Sequence, residues 1–204
     1  MWPTLALTLL AQATPVPAAQ PAEIQYQSIE VLKGLPSSRV PVIMREWSKA
    51  LGVECGHCHE DDAYERTGKN THAMARRMAR MVAAVSEKYL KAEGGVTCWS
   101  CHRGTARPAR LPGDALDLEL ARWPRDLEAS REEHSVTMSV FTISLGVSCQ
   151  HCHSKSRWKS GARAQHKVAK RMVSMFDEFP NHLGPRSGRM QCFTCHHGSV
   201  RVEK

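Results

Sequence analysis

The eight cysteines of this 204-residue chain fall into four pairs: Cys55/Cys58, Cys98/Cys101, Cys149/Cys152 and Cys192/Cys195. Two residues separate the members of every pair, and a histidine follows every second cysteine at once: His59, His102, His153 and His196. A zinc site would use two cysteines on a turn but has no need of the histidine that follows. The 39 residues between Cys58 and Cys98 also exceed ordinary zinc-ribbon spacing. A thioredoxin-like dithiol occurs once, beside a βαβ pattern. Disulfides in an oxidising compartment would use the sulfurs and leave the histidines without a role. C-x-x-C-H has one common chemical reading, covalent haem attachment. Two sulfurs on one side of a helical turn can bond the two vinyl groups of one porphyrin, and the next residue presents its imidazole to the iron. Four copies that use every cysteine imply four covalently bound haem c groups. The eight cysteines would hold them, with His59, His102, His153 and His196 as the proximal iron ligands.

Such a cargo suits the composition. Mean hydropathy is −0.40 and aromatic residues are 6% of the chain, which is thin for a self-sufficient core. Four porphyrins would supply the missing apolar faces, so the haem-free chain is expected to fold poorly. The formal charge of +8 would in isolation suggest nucleic acid or an acidic membrane. Two propionates on each haem bring about −8, leaving the reduced protein near neutral and the oxidised one at about +4. The chain carries no nucleic-acid motif. Arg76, Arg77 and Arg171 are candidates for pairing with propionates.

An apolar run from Met1 to Leu10 precedes Ala11-Gln12-Ala13, an arrangement resembling a secretory signal. Residues 1–25 are therefore expected to be a signal peptide and an unstructured lead, with cleavage after Ala13, Ala18 or Ala19. C-type haem is attached outside the cytoplasm, so the expected location is the periplasm. No later segment is long and apolar enough to span a membrane. Membrane association is expected only through a partner or an uncleaved N-terminus.

A shift of 94 residues maps Cys55 onto Cys149, His59 onto His153, Cys98 onto Cys192 and His102 onto His196. It also maps Met44 onto Met138, His57 onto His151, His72 onto His166, Met78 onto Met172 and Met81 onto Met175. No insertion is needed from Met44 through Gly104. The expected architecture is mainly α: a tandem, pseudo-twofold pair of dihaem helical modules over residues 26–107 and 126–204. Residues 108–125 would join them, within them a short helix near Asp114–Arg122. In each module two helices each lead to one motif. Ser37 or Ser38 should cap the first helix, with Pro41 in its first turn and Gly52 as its stop. The second helix should begin at Thr71 and end at Gly94-Gly95.

A six-coordinate electron-transfer haem needs a distal ligand, usually a methionine thioether or an imidazole. Met44 precedes His59 by 15 residues and Met138 precedes His153 by the same interval, so these two are candidates for the first and third haems. A methionine on an apolar helix face is ordinarily core packing; the equal spacing favours ligation. On the second helix Met78/Met172 and Met81/Met175 both survive the repeat, while Met74 aligns with Val168 and is a weak candidate. His72 and His166 could ligate, cap the helix start or meet a propionate. His57 and His151 lie inside the attachment loops and are expected to be exposed or to meet propionates. His134, His182 and His197 break the repeat.

These residues resemble the tetrahaem cytochrome subunit family of photosynthetic reaction centres. The similarity opens at "VLKGLP" (31–36), continues through "LGVECGHCH" and "LGVSCQHCH", each with a methionine eleven residues before its first cysteine, and is closer still in "ARRMARMV" (75–82) and "GVTCWSCHRG" (95–104). The family's ligand after the A-R-R run falls on Met78, and the repeat carries that role to Met172 in "AKRMVSMF". Two departures stand out. The family's long segment between dihaem halves is nearly absent here. The histidine that often ligates the last haem also has no counterpart in "SEKYLKAE" (86–93), which leaves Met172, His166 or His182 for the fourth iron. The resemblance implies a carrier that takes electrons from a soluble redox protein and passes them to a photosynthetic reaction centre. A respiratory complex or oxidase in a non-phototroph is the alternative acceptor. A multihaem reductase would need an iron with an open distal position, and four repeat-matched methionines leave none evident. The chain is therefore read as a non-enzyme; assembly into a haem filament is compatible with the same sequence.

Overall fold

The computed structural model describes residues 20–60, 63–111, 131–154 and 163–204. The expected signal segment up to residue 19 and most of the joining segment, with its helix near 114–122, lie outside them. Among the described residues the regular structure is helical: α1 Ala22–Gln25, α2 Val40–Leu51, α3 Asn70–Tyr89, α4 Cys98–His102, α5 Arg131–Leu145, α6 Ala164–Met175, α7 Phe179–Leu183 and α8 Cys192–His196. Two isolated β-bridges, Pro21–Pro36 and Glu60–Ala63, accompany the helices.

The repeat is visible in the boundaries. α4 and α8 are offset by 94 residues at both ends, as are the 3-10 turns Cys55–His57 and Cys149–His151; α2 and α5 end, and α3 and α6 begin, at equivalent positions. Gly52 and Gly146 stop α2 and α5, both at φ +62°. At each, a β-carbon would collide with a backbone carbonyl, that of Gly104 or Gly198. Hydrogen bonds beside them, Gly104 N–H to Ala50 O at 2.8 Å and Gly198 N–H to Ser144 O at 2.9 Å, dock each motif-bearing helix α4 or α8 onto the helix before it. Glycine is needed there for the left-handed turn and for the close approach.

Three expectations change. Neither Ser37 nor Ser38 caps α2: residues 37–39 form a 3-10 turn, Ser37 is buried, and its N–H donates to Gln20 O. The lead expected to be unstructured through residue 25 is ordered from residue 20, with Ala22 fully buried and α1 tied to Leu35. The long helix of the first module has no uninterrupted copy in the second. α6 stops at Met175, and α7 restarts with Pro180 in its first turn, because proline cannot donate to the preceding turn. α3 ends at Tyr89, with Gly94 closing a further 3-10 turn at φ +76°.

The main core lies between the modules. Met81, Val85 and Leu90 of the first pack with Phe179 and Leu183 of the second, and Met78, Met172, Met175 and Met190 border this cluster. Around it, Lys88 pairs with Glu178 at 2.9 Å, Arg171 with Glu93, and Arg103 with Glu203 at 3.8 Å. A smaller cluster seats Ala22 and Leu32 of the N-terminal strap on Val40 of α2.

Candidate functional site

The first motif opens on a cavity of about 440 Å³. Met44, Trp47 and Leu51 of α2 form one wall, Cys55, Cys58 and His59 the floor, and His72, Ala75 and Arg76 of α3 the opposite wall. The N-terminal strap closes it with Ile29, Val31 and Leu32. The third motif faces a smaller cavity of about 90 Å³ with corresponding walls: Met138, Phe141 and Leu145, then Cys149, Cys152 and His153, then His166, Ala169 and Lys170. The structure thus brings Met44 together with His59, and Met138 with His153, each pair on one apolar-walled space.

The imidazoles are set for metal binding through Nε2. His59 Nδ1 donates to Tyr64 O at 2.8 Å, His102 Nδ1 to Thr105 O at 2.9 Å, and His196 Nδ1 to Ser199 O at 2.9 Å. A carbonyl only accepts, so Nδ1 carries the proton and the Nε2 lone pair is left for iron, a tautomer lock of the kind metal-binding histidines need. For His102 and His196 the local backbone supplies the acceptor. The next residues, Arg103 and His197, turn left-handed at φ +45° and +50°, and the chain folds back under the ring. Burial holds both imidazoles below the ordinary histidine range, so they stand neutral, the ligating form.

The first loop is clamped by residues that sequence reasoning missed. Lys69 Nζ donates to Gly56 O at 2.5 Å and to His59 O at 2.7 Å, and Thr71 Oγ1 donates to His57 O at 2.5 Å. The acceptors are carbonyls, which carry no signature in the sequence. The expected helix-capping role of His72 is not taken up: the N-cap of α3 is Lys69 and no side chain caps it. His72 instead packs edge-on against His59, ring centroids 5.2 Å apart, with its buried Nδ1 unpartnered. His166 does the same to His153 at 5.6 Å. His166 thus lines the third-motif cavity beside His153. His182 faces Glu178 at 3.7 Å. Arg76 lines the first cavity while paired with Glu30, and Arg171 is held by Glu93.

Haem fits the first motif, where Cys55 and Cys58 are free thiols beside the larger cavity and a locked imidazole; the third motif has the same donors, with Cys149 and Cys152 free beside His153, on a cavity of about 90 Å³ that is smaller than a porphyrin. At the second and fourth motifs His102 and His196 are locked in the ligating tautomer, but Cys101 and Cys195 are bonded to each other. In that form the two motifs do not fit a haem. Cys98 and Cys192 beside them are free, and burial pushes both thiols up, Cys192 to about 12. Met78 and Met172 converge on the inter-module cluster, where Met81 is the more deeply enclosed at 8% exposure.

A helical scaffold whose recurring loops are Cys-x-x-Cys-His, each with its own imidazole, defines a multihaem c-type cytochrome. The profile described as "Photosynthetic reaction centre cytochrome C subunit" matches residues 6–118, and the chain belongs to that family. Three relatives carry the name photosynthetic reaction center cytochrome c subunit. That of Roseobacter denitrificans is 26% identical over 251 aligned positions, covering 85% of this chain and 67% of the relative. That of Rubrivivax gelatinosus is 24% identical over 245 positions, covering 86% and 66%. That of Thermochromatium tepidum is 35% identical over 89 positions, covering 41% and 22%. The chain thus spans about two thirds of the length of the relatives that it matches broadly. Family membership implies covalently bound haem c. No helix among the described residues is long and apolar enough to cross a membrane.

Proposed function

We propose that this chain is a periplasmic electron carrier that holds four haems, one on each motif, and donates single electrons to a photosynthetic reaction centre. The observation that carries the reading is the order in which the motifs meet. α2 packs on α4, α4 on α8, and α8 on α5, so the motifs form a row running first, second, fourth, third. A row of redox groups with no gap in the protein between them suits relay rather than bond-making chemistry. The haem irons supply the one-electron couples. The chain contributes the proximal imidazoles, those of His59, His102 and His196 fixed at Nδ1, apolar walls that exclude water, and the thioethers of Met44, Met78, Met138 and Met172 as sixth ligands. A neutral thioether favours the ferrous state and so raises the potential. For the fourth iron His166 or His182 is the substitute.

The haem count is the first test. Intact mass and a pyridine haemochrome assay of the mature protein should give four covalent haems per chain, and Cys55→Ala with Cys58→Ala should give three. Two haems in the wild type would overturn the reading. The acceptor is tested by flash-exciting reaction-centre membranes with the reduced protein present. Oxidation of its haem bands in step with re-reduction of the photo-oxidised bacteriochlorophyll pair is expected. Oxidation only on addition of a respiratory oxidase would replace the reaction centre as acceptor.

A further inference from the structure

The ammonium of Lys69 sits on the first attachment loop, donating to Gly56 O at 2.5 Å and to the carbonyl of His59, the proximal residue, at 2.7 Å. We infer that Lys69 is a positioning residue for the first haem, and that its fixed positive charge raises that haem's reduction potential by acting through His59. The inference rests on haem at the first motif, one part of the proposed function.

The lysine is placed for the loop and not for its own helix. Lys69 is the N-cap of α3, in extended geometry at φ −74° and ψ 136°, and its side chain caps nothing. An ammonium at the start of a 20-residue helix meets the positive end of the macrodipole, so the position costs α3 some stability. The side chain instead turns back to the loop on a half-buried residue, where a charge gives up hydration that two carbonyls only partly replace. Holding the loop needs no charge: Thr71 holds His57 O with a hydroxyl at 2.5 Å. What lysine adds to the clamp is the charge, delivered through hydrogen bonds that an ionised donor strengthens.

The sign follows from electrostatics. Loss of one electron adds one positive charge at the iron, and a cation held beside the residue that binds it opposes that step. The ammonium is one hydrogen bond from the main chain of His59, and His59 Nδ1 is locked on Tyr64 O, so ring and charge keep a fixed relation. At the effective dielectric of about 20 that suits sites near a protein surface, one unit charge shifts such an equilibrium by on the order of tenfold. The third loop lacks the device. The 94-residue shift places Arg163 at Lys69 and Gln165 at Thr71. Arg163 is likewise the N-cap of α6 in extended geometry, yet among the described residues it makes no hydrogen bond to Gln150, His151 or His153. The effect is therefore particular to the first haem and sets the two ends of the row apart.

The test is a redox titration of the haem-loaded full-length protein, followed at the haem bands and fitted to one component per haem. The component missing from Cys55→Ala/Cys58→Ala identifies the first haem. In Lys69→Gln, which keeps an amide donor and loses the charge, that component should fall by about tenfold in its reduction equilibrium, or ~59 mV, while the others stay in place. Lys69→Arg should keep the wild-type value. So should Thr71→Val, which removes the neighbouring clamp without removing charge. An unaltered potential in Lys69→Gln would overturn the inference, and so would an equal fall in Thr71→Val, which would make loop rigidity the cause. Lys69→Met, an uncharged stem of similar length, serves as the second variant where the glutamine one does not load the first motif, and its outcomes are read the same way. Haem missing from the Cys55–His59 peptide of the wild-type protein would overturn the haem reading instead.

Discussion

Alanine at Gly52 or Gly146 should cost the protein about 2–5 kcal/mol, and alanine at both should prevent it from accumulating. Each position sits at φ +62°, where a β-carbon adds about 1–2 kcal/mol of backbone strain. Each β-carbon would also drive into the carbonyl of Gly104 or Gly198, which is main chain and cannot swing aside. Forced shifts of that kind cost about 1–3 kcal/mol. Gly34 is the internal control. It has φ +79° but nothing within 4 Å of its would-be β-carbon, so Gly34→Ala should show the strain alone. Thermal unfolding of the haem-loaded protein followed by circular dichroism reads the difference. A Tm fall on the order of 10 °C is expected for Gly52→Ala, against a few degrees for Gly34→Ala. Equal small shifts at the two positions would show that the contact with Gly104 contributes nothing.

Met44→His should lower one reduction potential by an amount on the order of 0.1 V or more, within the roughly 0.8 V range that axial ligands span. The prediction rests on Met44 and His59 sharing the walls of one cavity. Near-infrared magnetic circular dichroism should lose one His/Met signal and gain one bis-imidazole signal. Met78→His should do the same to a second haem, whereas Met81→Leu should leave every potential in place, because Met81 is enclosed with Val85, Leu90 and Phe179. Unaltered spectra in Met44→His would return this methionine to core packing. A high-spin haem in the wild type would reopen the reductase alternative.

Much of this was legible in the sequence because the repeat is ungapped. Gly52 read correctly as a helix stop, since an apolar stripe ending in glycine has one common geometry. Met44 read as a partner of His59 because two equal intervals are hard to reconcile with random packing. Ser37 misread as a cap because a 3-10 turn competes for the same backbone donors, and nothing local distinguishes the two. The break between α6 and α7 was available in Pro180 and was overlooked in favour of the repeat. How the modules dock was not available at all. Phe179 and Leu183 look like copies of ordinary helix positions, and only tertiary contact turns them toward Met81 and Val85. The clamp of Lys69 on two carbonyls was invisible for the same reason: its acceptors belong to no residue type.

Because α4 meets its counterpart α8, with α2 and α5 flanking them, the row of motifs reads the same from either end. A charge travelling inward from either end passes the same sequence of stations. Geometry of that kind conducts equally well in both directions and cannot by itself say which end is the inlet. Any rectification must come from what breaks the mirror. The strap of residues 26–32 walls the first cavity and does not wall the third, and Arg103, paired with Glu203, brings charge near His196. On the proposed four-haem reading, the two ends of the row therefore differ only in a few side chains at its edges.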